Sequence, residues 1–154
     1  MASNSLDMLV DLYQPIIKEL DTPFEIVRVL SPSSDKVLDF IGTHFSKGWL
    51  SEAKAGLYKN HPTCFIARDD SKIIGFACYD ATAKAYFGPT GVDEVYRGKG
   101  IGKALLLKCL VSMKEEGYGY AIIGGVEPKN WPFYEKVSGA VPIQNSKKIY
   151  QRMV

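Results

Sequence analysis

The chain has 154 residues, about the size of one domain. Hydrophobic residues make up 46% of it and charged residues 23%, which is typical of a globular protein and excludes a disordered tail. The formal net charge is only +2, so the domain as a whole should not be attracted to nucleic acid or to an anionic membrane, and any basic site must be local.

The cysteines and the N-terminal residues predict a compartment. Cys64, Cys78 and Cys109 are odd in number, lack CxxC spacing and lie in apolar runs, which indicates buried thiols in a reducing cytosol. With only His44 and His61 beside them, we predict no metal site. The N-terminus lacks the basic segment and apolar run of a signal peptide, and no run approaches the roughly 18 apolar residues of a membrane span. We therefore expect a cytoplasmic protein.

Helical spacing of apolar residues predicts a helix over residues 5–20, although Pro15 interrupts it. The residues at this spacing are Leu6, Leu9, Val10, Tyr13, Ile16 and Ile17. We therefore predict that residues 1–22 form a helical extension, which packs on a domain of residues 23–154 or mediates a homodimer.

The rest of the chain alternates between strand and helix patterns. Strands are predicted over residues 24–30, 63–68, 72–79, 85–95, 120–126, 141–143 and 148–153. Helices are predicted after the turn at 31–35, over 49–58, over 100–116 and over 131–137. Gly88-Pro89 predicts a bulge or an opening in the fourth strand. Antiparallel hairpins followed by a βαβ unit predict an α/β fold of the mixed α+β kind, with one mixed sheet flanked by helices.

The main motif is a glycine-rich loop that leads into the helix over residues 100–116. It consists of Arg97, Gly98, Lys99, Gly100, Ile101, Gly102 and Lys103. The glycines let the backbone turn sharply and approach a ligand, and the first N–H groups of the helix have no internal partner. Together with the helix dipole and the flanking cations, this arrangement suits a phosphate or pyrophosphate.

Two nucleotide-binding motifs are excluded because the chain lacks the required residues at the required positions. A Walker A loop that ends at Gly102-Lys103 needs glycine at position 97 and Ser or Thr at position 104, but the chain has Arg97 and Ala104. A dinucleotide fingerprint that begins at Gly98 or Gly100 needs a third glycine where Lys103 or Leu105 stands. These failures and the small net charge argue against a nucleotide-binding or nucleic-acid-binding module.

The segment from Val92 through Arg97, Gly98, Gly100 and Gly102 resembles the acetyl-CoA signature of the GNAT superfamily of N-acetyltransferases. The resemblance covers about 130 residues in element order. It implies a mostly antiparallel sheet of about six to seven strands, splayed between the fourth and fifth strands of the core. It also implies that acetyl-CoA binds with its pyrophosphate on the loop amides and its pantetheine arm along Thr90 and Val92. The chain departs from many relatives at Glu94, where they have proline, and at Gly88-Pro89.

A second stretch, Phe133-Tyr134-Glu135-Lys136 followed by Gly139-Ala140, resembles another motif of the family, with one additional residue before the glycine. The resemblance implies that Tyr134 protonates the leaving CoA thiolate, and a phenol of pKa about 10 is a plausible acid for that thiolate. Relatives usually have asparagine seven residues before this tyrosine, where the chain has Glu127. Asn130 lies closer and is a candidate contact to the CoA arm.

The sequence offers several candidates for the base that deprotonates the amine. Some relatives place a glutamate where this chain has Tyr86, and Asp80, Glu94 and Glu127 are the other candidates. Developing charge on the thioester oxygen is expected to be stabilised by a backbone N–H of the fourth strand, that of Val92.

The acceptor site is expected among the aromatic residues of the first helices and the strands, with Trp49 and Tyr86 as candidate substrate-binding residues. The resemblance thus predicts transfer of an acetyl group to a primary amine, on a small molecule or a peptide. Because no obvious base is present, the alternative is a catalytically silent module of this fold that binds acyl-CoA as a sensor or partner.

Overall fold

A computed structural model describes residues 4–154. The strands are β1 (Leu6–Asp11), β2 (Glu25–Arg28), β3 (Cys64–Asp69), β4 (Lys72–Tyr79), β5 (Tyr86–Val92), β6 (Tyr120–Val126) and β7 (Val141–Pro142). The α-helices are α1 (Ser34–His44), α2 (Lys47–Leu57), α3 (Ile101–Glu115) and α4 (Trp131–Ser138). The strands form one sheet in the order β2-β3-β4-β5-β6-β1-β7, and within residues 4–154 only β5 and β6 are parallel neighbours. The predicted mixed, mostly antiparallel fold is confirmed.

Two apolar clusters cover the two faces of this sheet. On one face, α3 buries Leu105, Leu110 and Met113 against strand residues such as Met8 and Ile123. On the other face, α1 and α2 cover a second cluster, whose buried members include Phe40, Ile41, Leu57, Phe76 and Cys78. Because successive residues of a strand point to opposite faces, the cluster that holds one strand residue shows where its neighbours point.

The predicted N-terminal helix is wrong, because Leu6–Asp11 forms strand β1 in the interior of the sheet. This strand pairs with β6 on one side and with β7 on the other. Met8 and Val10 pack in the cluster on the α3 face, and Leu9, which points the other way, is half-buried. A run with apolar residues on both faces fits helical spacing as well as it fits a strand. Residues 6–11 of the predicted extension are thus part of the sheet. Residues 1–3 lie outside the described part of the chain.

The last predicted strand is also wrong. The strand predicted over residues 141–143 appears as β7, but residues 148–152 form a 3-10 helix, Lys148–Arg152. Lys147 has a φ of 69°, which turns the chain back toward the sheet. Tyr150 then lies over Gly124 of β6, where a longer side chain would collide with it.

No helix of residues 4–154 is both long enough and apolar enough to span a bilayer.

The sheet opens between β5 and β6. Among the described residues, these strands pair only at Tyr86–Ile122 and Phe87–Ile123, and both continue for several residues beyond those pairs. Backbone irregularities lie just past the last pair on both strands: Gly88-Pro89 is a cis peptide on β5, and Gly125 on β6 has a φ of 62°. This opening, called the β5–β6 gap below, matches the splay predicted between the fourth and fifth strands of the core.

Candidate functional site

The glycine-rich loop connects the end of β5 to the start of α3. Gly98 and Gly100 have φ values of 83° and 78°, which side chains other than glycine rarely adopt. A Cβ atom built on either glycine would meet no atom within 4 Å, so the space beside the loop is open. The first bond of the helical ladder runs from the N–H of Ala104 to the carbonyl of Gly100, which leaves the N–H groups of residues 101–103 free of helix partners.

The charges around the loop are local and exposed. Arg97 donates from Nε to the carbonyl of Val92 at 3.2 Å, which holds its guanidinium at the end of β5. Lys99 and Lys103 are exposed on the loop and on the first turn of α3. An open, glycine-lined set of N–H groups flanked by three cations fits a pyrophosphate.

The predicted backbone edge of β5 faces the β5–β6 gap. The N–H of Asp93 donates to the carbonyl of Ile74 on β4 at 2.8 Å. In an antiparallel ladder the direction of these groups alternates, so the N–H and C=O groups of Thr90 and Val92 point away from β4. The Thr90 side chain donates back to the carbonyl of Phe76 at 3.0 Å, which holds this part of β5 against β4. An extended ligand chain would therefore find strand-like partners at Thr90 and Val92.

Tyr134 lies on α4 and packs, half-buried, against the cluster on the α3 face. Burial raises the pKa of its phenol above the usual value. Its hydroxyl donates to no acceptor within residues 4–154, so its proton is not held in a hydrogen bond to another described residue. A protonated phenol without a hydrogen-bond acceptor is suited to the role of a general acid.

Aromatic rings cover the other face of β5. Phe45 lies directly on Gly91, so closely that a Cβ there would be 2.6 Å from Cε1 and 2.9 Å from Cε2 of the ring. Trp49, a predicted acceptor-site residue, packs on Phe45 and Phe76 with ring centroids 5.2 and 6.3 Å apart. Trp49 is thus half-buried in an aromatic wall on the α1–α2 face.

Two candidate bases, Asp80 and Glu94, are not placed as predicted: Asp80 is hydrogen-bonded in a turn, and Glu94 lies outside the strand. Asp80 accepts from the N–H of Ala85 and from the hydroxyl of Tyr118, both at 2.8 Å, so both of its oxygens hold the turn between β4 and β5. These bonds favour a structural role for Asp80 over the predicted catalytic one. Glu94 was predicted on the fourth strand, but β5 ends at Val92, and Glu94 lies exposed in the 3-10 helix Glu94–Tyr96.

The remaining predicted residues lie at the end of β6. Glu127 is 46% exposed in its side chain and is 3.6 Å from the ammonium of Lys129. Asn130 is exposed at the start of α4, and its side chain does not cap the helix. Asn130 thus stays a prediction as a contact to the CoA arm.

The sequence interpretation missed a buried carboxylate at the β5–β6 gap. Asp7 on β1 is only 5% exposed. Its Oδ1 accepts from the N–H of Gly125 at 2.8 Å, and its Oδ2 accepts from the N–H of Lys147 at 3.2 Å and from the hydroxyl of Tyr86 at 3.3 Å. The available signal was the single acidic residue in the run Leu6–Val10, because a carboxylate in a strand buried on both faces needs partners.

Asp7, Tyr86 and Tyr150 lie on the α1–α2 face of the sheet. Their strand neighbours Met8 and Phe87 belong to the cluster on the α3 face, so Asp7 and Tyr86 point the other way. A Cβ atom on Gly124 would lie 3.0 Å from Cζ of Tyr150 and 3.2 Å from Cδ2 of Tyr86, so the two rings meet over this glycine. Burial, followed by the charges of Asp7 and of Glu52 on α2, raises the pKa of Tyr150. Burial and the Asp7 charge raise the pKa of Tyr86.

No group of three or more His, Cys, Asp or Glu side chains in the described residues is placed to hold a metal ion.

Comparisons with known proteins agree on one family. The model of the Acetyltransferase (GNAT) family matches residues 25–140. The glucosamine N-acetyltransferase region of a fungal multi-domain GH3 β-N-acetylglucosaminidase superposes with a TM-score of 0.74 at 18% identity, over 93% of this chain and 20% of that one. A GCN5-related N-acetyltransferase from Kribbella flavida gives 0.67 at 16% identity, over 92% and 55% of the two chains.

A GNAT family N-acetyltransferase from Escherichia coli in complex with CoA gives a TM-score of 0.50 at 18% identity, over 66% of this chain and 62% of that one. The chain therefore spans from one-fifth to less than two-thirds of the length of these solved chains. No curated protein sequence matches it.

Proposed function

Because the chain belongs to the Acetyltransferase (GNAT) family, we propose that it transfers an acetyl group from acetyl-CoA to a primary amine. The observation that carries this proposal is the β5–β6 gap with the glycine-rich loop at its end. The gap leaves the backbone of Thr90 and the N–H of Val92 without a strand partner on one side, and the loop offers N–H groups and cations where the gap reaches α3. The E. coli neighbour that binds CoA has a related fold and supports the same donor.

Each part of the site has a role in this proposal. The loop from Arg97 to Lys103 holds the pyrophosphate of CoA, and the free edge of β5 pairs with the pantetheine arm. The N–H of Val92 faces the gap and stabilises the developing charge on the thioester oxygen. Tyr134 donates its proton to the thiolate as the carbon–sulfur bond breaks. The acceptor amine enters from the α1–α2 face, beside Trp49 and Tyr86.

The buried cysteines support a reducing compartment for this reaction. Cys64, Cys78 and Cys109 are all buried free thiols. Burial raises the pKa of Cys109, which keeps its thiol protonated and unreactive. We therefore place the protein in the cytosol as part of the proposal.

Titration calorimetry tests the donor first. We expect acetyl-CoA to bind and ATP to bind much more weakly, because the Walker A and dinucleotide patterns are missing. Arg97→Ala should weaken acetyl-CoA binding by about 10- to 100-fold, as expected for loss of one charged phosphate contact. Lys36→Ala, which removes an exposed lysine of α1, is the matched control and should bind like the wild type.

A panel of amines, followed by release of the CoA thiol, then tests the reaction. Turnover on at least one amine supports the transferase. Binding of acetyl-CoA without turnover on any amine would instead favour the silent acyl-CoA-binding module. Absence of acetyl-CoA binding would overturn both proposals.

A further inference from the structure

The buried carboxylate of Asp7 is connected to the α1–α2 side of the gap through one hydroxyl group, that of Tyr86. Two of its three hydrogen bonds come from backbone N–H groups, which hold the carboxylate in place. The third comes from Tyr86, whose ring is half-buried and faces the α1–α2 side of the gap. Because the Tyr86 hydroxyl donates its proton to Asp7, the lone pairs of its oxygen are available to a group in the gap.

Tyr86 lies at the level where the gap begins. It forms the first of the two β5–β6 pairs, and Gly124 and Gly125 of β6 follow the second pair directly. Gly125 adopts a left-handed conformation that aims its N–H at Asp7, so the irregularity in β6 serves this carboxylate. Asp7 is therefore built into the gap and is not a surface acid.

We infer that Tyr86 accepts the proton of the acceptor amine and passes its own proton to Asp7, so that Asp7 serves as the positioning residue and final acceptor of a proton relay. This inference rests on the proposed transferase function. It explains why the residues predicted as bases, Asp80 and Glu94, are engaged elsewhere or lie outside the gap.

The step balances with the groups present. The amine nitrogen forms a bond to the thioester carbon, and the carbon–sulfur bond breaks with its electron pair on sulfur. The nitrogen loses one proton to the Tyr86 oxygen while the Tyr86 proton moves to Oδ2 of Asp7. The thiolate takes the proton of Tyr134. Asp7 then returns one proton to solvent and Tyr134 takes one from solvent, which leaves an amide and a thiol as the only products.

Tyr86→Phe is the sharpest test, because it removes the relay oxygen and leaves both backbone bonds of Asp7 in place. With the best amine of the panel, we expect kcat to fall by about 10²-fold, the range of general base catalysis, with an unchanged affinity for acetyl-CoA. Tyr118→Phe is the matched control: it removes a tyrosine–aspartate hydrogen bond of 2.8 Å outside the gap and should keep the wild-type kcat.

Asp7→Asn completes a double-mutant cycle. If the two residues act as one relay, the double variant should be no slower than the slower single variant. Should Asp7→Asn fail to fold, Tyr86→Phe decides the question alone. A kcat of Tyr86→Phe within twofold of the wild type, or strictly multiplicative losses in the cycle, would overturn the relay in an active enzyme. A wild type that binds acetyl-CoA without turning over any amine would instead overturn the proposed transferase function.

Discussion

Gly91→Ala should destabilise the protein, because the ring of Phe45 occupies the place of the new methyl group. To reach ordinary contact, the ring must retreat by at least about 0.8 Å at Cε1, from 2.6 Å to 3.4 Å, and by more at Cζ, which lies nearer still. It has little room to do so, since the centroids of Trp49, Phe76 and Phe40 lie 5.2, 5.6 and 5.9 Å from its own.

The expected size of the effect follows from two opposing contributions. Overpacking of a tight core costs about 1–3 kcal/mol. Loss of glycine flexibility in the unfolded chain offsets this by about 0.4–1 kcal/mol, because the φ of Gly91 is not positive. With both contributions near the middle of their ranges, the free energy of unfolding should fall by about 1–2 kcal/mol, which corresponds to a drop in Tm of about 2–8 °C for a domain of this size.

Urea denaturation of four proteins measures this effect: the wild type, Gly91→Ala, Phe45→Ala and the double variant. In the Phe45→Ala background the methyl group has space, so Gly91→Ala should there be neutral or stabilising. Gly42→Ala is the control for the same chemical change: it lies exposed on α1 with its nearest contact 3.8 Å away, and should gain about 0.5–1 kcal/mol. An equal cost of Gly91→Ala in both backgrounds, or no cost at all, would refute the packing argument.

Three further predictions concern the loop, the acid and a tyrosine outside the gap. Tyr134→Phe should lower kcat by about 10²-fold in steady-state assays with little change in acetyl-CoA affinity, and wild-type turnover would refute its role as the acid. Gly100→Ala should cost about 1–2 kcal/mol in urea denaturation, because its φ is 78°, and should weaken acetyl-CoA binding in calorimetry; unchanged values in both would contradict the proposed conformation. Burial and the bond to Asp80 raise the pKa of Tyr118 from 10.0 to about 12, so its contribution to stability is complete below about pH 10 and is lost as the pH rises to about 12. Urea midpoints across this range should therefore fall more steeply for the wild type than for Tyr118→Phe, and parallel curves would exclude this linkage.

The glycine-rich loop and the helix after it could be predicted from the sequence because their signals are local. Three alternating glycines followed by apolar residues at helical spacing lie within one short segment, and α3 begins at Ile101 as that pattern indicates. The family that this loop indicated is confirmed by the match over residues 25–140. Strand β4 coincides with the strand predicted over residues 72–79, and Gly88-Pro89 indicated a bulge or an opening in the fourth strand, whose pairing with β6 ends after Phe87.

The cluster of Asp7, Tyr86 and Tyr150 could not be predicted because its residues come from distant segments. Asp7 lies 118 residues from Gly125 and 140 from Lys147, and nothing in the local pattern of Leu6–Asp11 names those partners. The same distance explains the incorrect helix, since only the neighbouring strands β6 and β7 decide that this apolar run is extended. Tyr150 falls within a predicted strand, because the local pattern does not show that the chain turns at Lys147, whose N–H donates to the distant Asp7 carboxylate.

The position of β1 between β6 and β7 also has a consequence for how the chain folds during synthesis. A ribosome that adds about 5–20 residues per second needs roughly 6–24 seconds to make the 118 residues between Asp7 and Gly125. Throughout that time β1 has neither of its strand partners, and closing so long a loop slows folding. The Asp7 carboxylate thus receives its two backbone hydrogen-bond donors, the N–H groups of Gly125 and Lys147, only once those late residues have been made. Until then the nascent domain carries an apolar strand with both edges unpaired, which is the segment on which we expect a chaperone to bind.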